Sequence, residues 1–293
     1  MTEQLRYILA SMRLQQWIKN LFLFAGLIFS GHLIYSADVL KTLIGFFFFS
    51  LVTSGVYMFN DITDIERDKL HPVKSKRPLP SGNLSKQAAW IGTSVLSVVG
   101  LAGSFYLRVE FGLAALVYVT LNIFYSIRLK DVVILDAMTV AAGFVIRVVA
   151  GALLIGVPAS EWLIICTILL SLFLGFSKRR HELTFLETQA NTHRSVLQHY
   201  SPYFLDQMIG IVTASTVMSY ALYTISEETV RKFGTTHLIY TVPFVLYGIF
   251  RYLYLVHKKI EGGNPTKLAL TDRPLLVNII LWIVVASIII YGR

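Results

Sequence analysis

Apolar residues along this chain come in blocks of about twenty, separated by short polar stretches, and that spacing sets the first expectation. The blocks fall at 17–35, 39–60, 86–106, 112–127, 133–155, 161–177, 205–224, 237–256 and 274–291. A helix rises about 1.5 Å per residue, so each block is long enough, or nearly so, to cross a hydrocarbon layer of about 30 Å. Strand-like alternation is absent, and in lipid a helix satisfies its own backbone hydrogen bonds. The pattern therefore predicts an all-α integral membrane protein, a bundle of about nine transmembrane helices, with residues 1–293 forming a single polytopic membrane domain.

Composition changes this picture little. With 55% hydrophobic and 15% charged residues and a mean hydropathy of +0.63, the chain is wrong for a soluble domain. The formal charge of +9 matches loops that face an anionic cytoplasmic leaflet, so no nucleic-acid partner is expected. Cys166, the single cysteine, lies inside an apolar block, which rules out a disulfide within the chain and a thiolate metal site.

Charge distribution orients the bundle. With the N-terminus inside, nineteen Lys and Arg fall on its side of the membrane and five on the other; Arg147 and Arg251 lie within blocks, which accounts for all 26. The N-terminal face is thereby expected in the cytoplasm of a plasma or inner membrane. The loops at about 61–85, 178–204 and 257–273 lie on that face and are long enough to cap a cavity.

The densest chemistry follows the second block. Asn60–Gly82 reads N-D-I-T-D-I-E-R-D-K-L-H-P-V-K-S-K-R-P-L-P-S-G. If the helix continues past Phe59, Asp61, Asp64 and Asp68 fall at i, i+3 and i+7 on one stripe, and Glu66 points away. Three like charges on one face call for a counter-ion. Mg²⁺ suits them, because it takes oxygen ligands and is commonly held by one or two carboxylates plus substrate phosphates. Behind them Pro72, Pro78, Pro80 and Gly82 break any helix, while Lys74, Lys76 and Arg77 supply cations for phosphate oxygens. A hydrated linker would explain the basic loop alone equally well.

Three other segments add candidates. Tyr118, Asn122, Tyr125 and Ser126 give the fourth helix a polar face that runs toward Lys130, and Asp136, Gly143 and Arg147 lie on one stripe of the fifth. An arginine at membrane depth is a functional candidate, although an interior contact without chemistry also explains it. After the sixth block come Lys178, Arg179, Arg180 and Glu182, then His193 and Arg194, with no aspartate between 177 and 205; phosphate binding and membrane anchoring both fit. Anchoring likewise explains Trp17 and Lys19, and Thr271-Asp272-Arg273-Pro274 has the form of a helix start.

The pattern N-D-x-x-D-x-x-x-D at Asn60–Asp68, followed by R-P-x-x-S-G at Arg77–Gly82, resembles the UbiA family of intramembrane prenyltransferases, over essentially the whole chain. That resemblance implies a UbiA-like helical bundle and an Mg²⁺-bound pyrophosphate substrate held at two Asp-rich motifs, after helices two and six. The second motif departs here, with Lys178, Arg179, Arg180 and Glu182 where aromatic prenyltransferases have aspartates. Gln16-Trp17-x-Lys19-Asn20, His71-Pro72-x-Lys74, Tyr125-Ser126-x-x-Leu129-Lys130, Lys178-Arg179-x-x-Glu182 and Thr271-Asp272-Arg273-Pro274 resemble most the branch of decaprenyl-phosphate phosphoribosyltransferases. The resemblance to that branch implies transfer of 5-phosphoribose from phosphoribosyl pyrophosphate to a polyprenyl phosphate. Asp61, Asp64 and Asp68 would then hold the metal. Lys19, Asn20, Asn60, Lys74, Arg77, Asn122, Tyr125, Lys130, Arg147, Lys178, Arg179 and Glu182 are the substrate-binding candidates. The competing expectations are prenyl transfer to an aromatic acceptor, which would want the second aspartate motif, and a transporter, which would place its carboxylates near the bilayer midplane.

Overall fold

The structure is a computed structural model that describes residues 2–186, 195–258 and 265–292; the expectations on His193 and Arg194 lie outside the described residues. Among the described residues the regular structure is helical, and eight helices are long and apolar enough to cross a membrane. The contacts group the chain into two compact units, one built mainly of residues 1–159 and one mainly of 160–190 and 197–293.

The first unit contains α1 (Thr2–Ser11), α2 (Phe24–Phe29), α3 (Ser36–Thr63), α4 (Ile65–Lys69), α5 (Lys86–Leu107), α6 (Val109–Ile127) and α7 (Leu135–Ile155). Its centre is α3, which packs along α5 and also against α6 and α7. Small residues allow the close approach: a Cβ on Gly100 of α5 would come within 2.8 Å of the Val52 nitrogen and 2.9 Å of the Phe48 carbonyl. Leu23, Phe49, Val52, Phe111, Tyr118 and Leu154 fill the core, with the Phe49 and Tyr118 ring centroids 5.1 Å apart.

One expectation fails here. The block 17–35 is not a single helix but a 3-10 helix over Leu14–Leu23, then α2, then a 3-10 turn over His32–Ile34. Tertiary contacts override its apolar pattern. Arg13 turns the chain at φ 53, Asn20 is drawn inward onto Ser50 and Thr53 of α3, and the Leu23 carbonyl presses against α7 where only Gly151 leaves room. A Cβ at Gly151 would lie 1.9 Å from that oxygen.

The second unit contains α8 (Glu161–Leu186), α9 (Pro202–Ile225), α10 (Glu227–Phe233), α11 (Val242–Lys258), α12 (Pro265–Thr271) and α13 (Arg273–Tyr291). α8 packs on α9, and α11 packs on both α13 and α9. Buried polar groups tie them together: Trp282 Nε1 donates to the Tyr220 hydroxyl at 2.9 Å, and that hydroxyl meets Thr241 at 2.7 Å. Asp272 accepts from the Leu275 N–H at 3.0 Å with Pro274 in the first turn, so this motif caps α13, as its form suggested. It also receives Arg251 at 2.8 Å, which gives the arginine of the eighth block a partner within the bundle.

Candidate active site

The first unit gathers the chemistry of the Asn60–Gly82 stretch. α3 does not run through Asp68 as one helix. It ends at Thr63, Asp64 breaks it at φ −102 and ψ 9, and α4 resumes at Ile65. The break divides the three aspartates. Asp61 and Asp68 are each only 3% exposed and face one cation, Arg77, whose Nη1 donates to Asp61 Oδ1 at 3.0 Å and to Asp68 Oδ2 at 2.7 Å. Arg13 also donates to Asp61, and Lys74 Nζ lies 3.6 Å from Asp68.

Asp64 is turned to a second cation, with Lys130 Nζ 2.6 Å from its Oδ1 and Asn60 Nδ2 3.2 Å from its Oδ2. The shared face of three carboxylates is therefore corrected to a pair plus one. Among the described residues no three His, Cys, Asp or Glu side chains gather closely enough to hold a metal by themselves. Glu66, by contrast, lies off the stripe as expected: its side chain is 77% exposed and held by Lys69 at 2.9 Å, and that hydrogen bond lowers its pKa below the usual carboxylate value.

Burial explains why the carboxylates keep cations beside them. A charge removed from water is costly unless paired, and each buried aspartate here has at least one basic partner. Arg77 is itself partly buried; desolvation, then the nearby Arg13, lower its pKa, while Asp61 and Asp68 pull it back up. An arginine so placed stays protonated.

The fourth and fifth expected helices supply the surrounding wall. Ser126 on α6 donates to Asn60 Oδ1 at 3.0 Å, fixing which way that amide faces, and Asn122 donates to the Tyr118 carbonyl at 2.8 Å. Tyr125, half-buried, follows on the same helix. Lys130 is buried in the short turn after α6, and Arg67 reaches Asp131 beside it at 3.2 Å. Arg147 on α7 donates to Asn20 at 2.8 Å and to the Tyr118 hydroxyl at 2.9 Å. Lys19 neighbours this group.

The second unit corrects the other basic cluster. Lys178, Arg179 and Glu182 are not in a loop, because α8 continues to Leu186. Arg179 Nη1 lies 2.6 Å from Glu182 and Lys178 Nζ 3.7 Å from it, while Arg180 binds Asp206 at 2.5 Å. The cations expected to await an anion thus already have carboxylate partners, one of them supplied by α9. Sequence reasoning also left Arg13 unassigned. Its signal was a cation at the entry to the first apolar block, but its partner Asp61 lies 48 residues away.

Comparison with known proteins identifies the family and the fold. The sequence pattern of the UbiA prenyltransferase family matches residues 20–270. A decaprenyl-phosphate phosphoribosyltransferase from Mycolicibacterium smegmatis is 30% identical over 97% of this chain and 92% of its own length. One from Corynebacterium glutamicum is 29% identical over 97% of this chain and 86% of its own. Among solved structures, a UbiA homolog from Archaeoglobus fulgidus bound to GPP and Mg²⁺ superimposes with a TM-score of 0.73 at 20% identity, covering 97% of this chain and 99% of that one. The helical bundle is shared. The chain belongs to the UbiA prenyltransferase family and is a membrane-embedded transferase.

Proposed function

We propose that the protein transfers 5-phosphoribose from phosphoribosyl pyrophosphate to a polyprenyl phosphate, releasing pyrophosphate, with Mg²⁺ as cofactor and the site open to the cytoplasm. The observation that carries this reading is the interleaving of buried carboxylates and cations: Asp61 and Asp68 around Arg77, with Arg13 and Lys74 adjacent, and Asp64 against Lys130. Carboxylate oxygens are ligands for a hard divalent ion, and the cations beside them suit the oxygens of the phosphate it carries. The relatives in Mycolicibacterium and Corynebacterium, matched along nearly their whole length, supply the choice of donor.

The residues present fit Mg²⁺. The Asp61 and Asp68 oxygens already converge on a single nitrogen of Arg77, so the space between them accepts one small cation, and two carboxylates plus phosphate oxygens make an ordinary Mg²⁺ environment. When bound, the ion neutralises charge on the departing pyrophosphate. Asp61 and Asp68 would hold it, and Arg13, Arg77 and Lys74 beside them would supply cations for the phosphate oxygens. Asp64, oriented by Asn60 and Lys130, completes the acidic set. Lys130 supplies a buried cation beside Asp64, and Asn122 and Tyr125 are assigned to substrate binding on sequence resemblance. Lys178, Arg179 and Glu182 are assigned to substrate binding on sequence resemblance alone.

In the transfer, the bond from ribose C1 to the pyrophosphate oxygen breaks, and an oxygen of the lipid phosphate bonds to C1. That nucleophile is already ionised at neutral pH, so no general base is required. Positioning and electrostatic stabilisation of the leaving group do the catalysis. Incubating purified protein with labelled phosphoribosyl pyrophosphate, polyprenyl phosphate and Mg²⁺ should give a labelled, lipid-soluble product. Prenylation of an aromatic acid such as 4-hydroxybenzoate, with no phosphoribosyl transfer, would replace this reading with prenyl transfer.

A further inference from the structure

Arg147 is 4% exposed and lies well inside α7. Neutral acceptors hold its guanidinium: Nε donates to Asn20 Oδ1 at 2.8 Å, Nη1 to the Gly143 carbonyl at 2.7 Å, and Nη2 to the Tyr118 hydroxyl at 2.9 Å. The ring of Tyr118 lies 4.6 Å from it and that of Phe144 5.4 Å. Lys19 is only partly exposed, has no hydrogen-bond or ion-pair partner among the described residues, and sits within electrostatic reach of both Arg147 and Arg13. Arg13 is neutralised by Asp61, whereas no described carboxylate pairs with Arg147 or Lys19.

Two neighbouring cations without a counter-charge in a largely apolar unit are costly, and each raises the cost of the other. Yet one of them is fixed in orientation by three hydrogen bonds. Those bonds use three of the five N–H groups of a guanidinium, and an ammonium adds three further donors. Two uncompensated positive charges match a phosphate monoester, which carries close to two negative charges at neutral pH, better than a carboxylate.

This group is separate from the aspartates. Asn20 is anchored on Ser50 and Thr53 of α3, and Thr53 precedes Asp61 by eight residues, about 12 Å along a helix. We infer that Lys19 and Arg147, positioned by Asn20 and Tyr118, form a second anion site that receives a substrate's phosphate monoester, apart from the aspartate cluster. The inference deepens the proposed phosphoribosyl transfer and rests on it for the identity of the ligand. Both substrates of that reaction carry such a group, one at the 5-position of the donor ribose and one on the lipid acceptor.

The test is thermal unfolding of the full chain in detergent, without divalent cation, with ribose 5-phosphate or a short-chain polyprenyl phosphate as probe. A ligand that binds the folded state raises Tm by mass action. Wild type should show a rise with at least one probe, and the probe that works assigns the site to donor or acceptor. Lys19→Met should lose that rise and, without probe, match or exceed the wild-type Tm, because it removes a cation that repels Arg147. Absence of a rise in wild type with either probe, or an equal rise in Lys19→Met, overturns the inference. Should Lys19→Met fail to fold, amine acylation of wild type read by mass spectrometry replaces it. Lys19 acylation should then slow several-fold with the probe while exposed Lys69 does not change, and equal acylation overturns the site. A Lys19-dependent rise without phosphoribosyl transfer sinks the proposed function and leaves this site standing. Transfer with both KM values unchanged in Lys19→Met does the reverse.

Discussion

Lys130 Nζ lies 2.6 Å from Asp64 Oδ1, and both side chains are largely buried, joining the turn after α6 to the break between α3 and α4. Removing one partner of such a pair strands the other, at a cost of about 3–5 kcal/mol, whereas replacing both is far milder. Lys130→Met should therefore lower Tm more than Asp64→Asn with Lys130→Met combined, while both proteins lose transfer activity. A double variant as unstable as the single one would mean that the pair is not coupled. Calorimetry together with the radiolabel assay separates the two effects.

Asp61→Asn and Asp68→Asn should each lower kcat by about 10²-fold or more, the usual scale for removing one electrostatic contributor to a transition state. Glu66→Gln should stay near wild type, because its carboxylate faces solvent and pairs with the exposed Lys69. Equal losses at the three positions would show that the buried pair has no special role.

Chelation of divalent ions should abolish activity, and Mg²⁺ or Mn²⁺ should restore it, since the donors are carboxylate oxygens. Arg77 bridges Asp61 and Asp68, so Arg77→Gln should lower Tm, and millimolar Mg²⁺ should recover more of that loss than it adds to wild type. A Tm difference that does not change with Mg²⁺ would argue that Arg77 and the ion occupy different places.

Gly151→Ala should be among the most destabilising single-methyl additions in the chain, because the new Cβ would fall 1.9 Å from the Leu23 carbonyl oxygen. Gly210→Ala is the control: a Cβ there meets nothing within 4 Å, and Ala is favoured over Gly in a helix by up to about 1 kcal/mol. Opposite shifts in Tm are expected, and a shift of the same sign in both would contradict the packing of Leu23 on α7.

Membrane-impermeant thiol labelling of Lys76→Cys and Glu228→Cys, each in a Cys166→Ala background, should report opposite faces of the membrane. Both positions are exposed, and the excess of Lys and Arg on the side of the first long loop is the reason to expect Lys76 in the cytoplasm. Labelling of both from one side would overturn the orientation.

Hydrophobic spacing by itself determined the helical class and located eight of the nine apolar blocks, because a segment that must bury its own backbone hydrogen bonds in lipid has one solution wherever some twenty apolar residues run together. It also placed Asp61, Asp64, Asp68 and Arg77 in one local stretch, since residues a few positions apart cannot be far apart in space. Where tertiary contacts compete with local pattern, the sequence did not decide. The first block reads as a helix, yet Asn20 is pulled onto α3 and Leu23 onto Gly151, and these contacts outweigh regular helical hydrogen bonding. The aspartate stripe breaks at Asp64 because Lys130, 66 residues away, draws that side chain from its neighbours. Arg13 on Asp61 and Asp206 on Arg180 are ion pairs made across long sequence separations. Charge pattern can show that a cation needs a partner, but only the packing of helices determines which carboxylate supplies it.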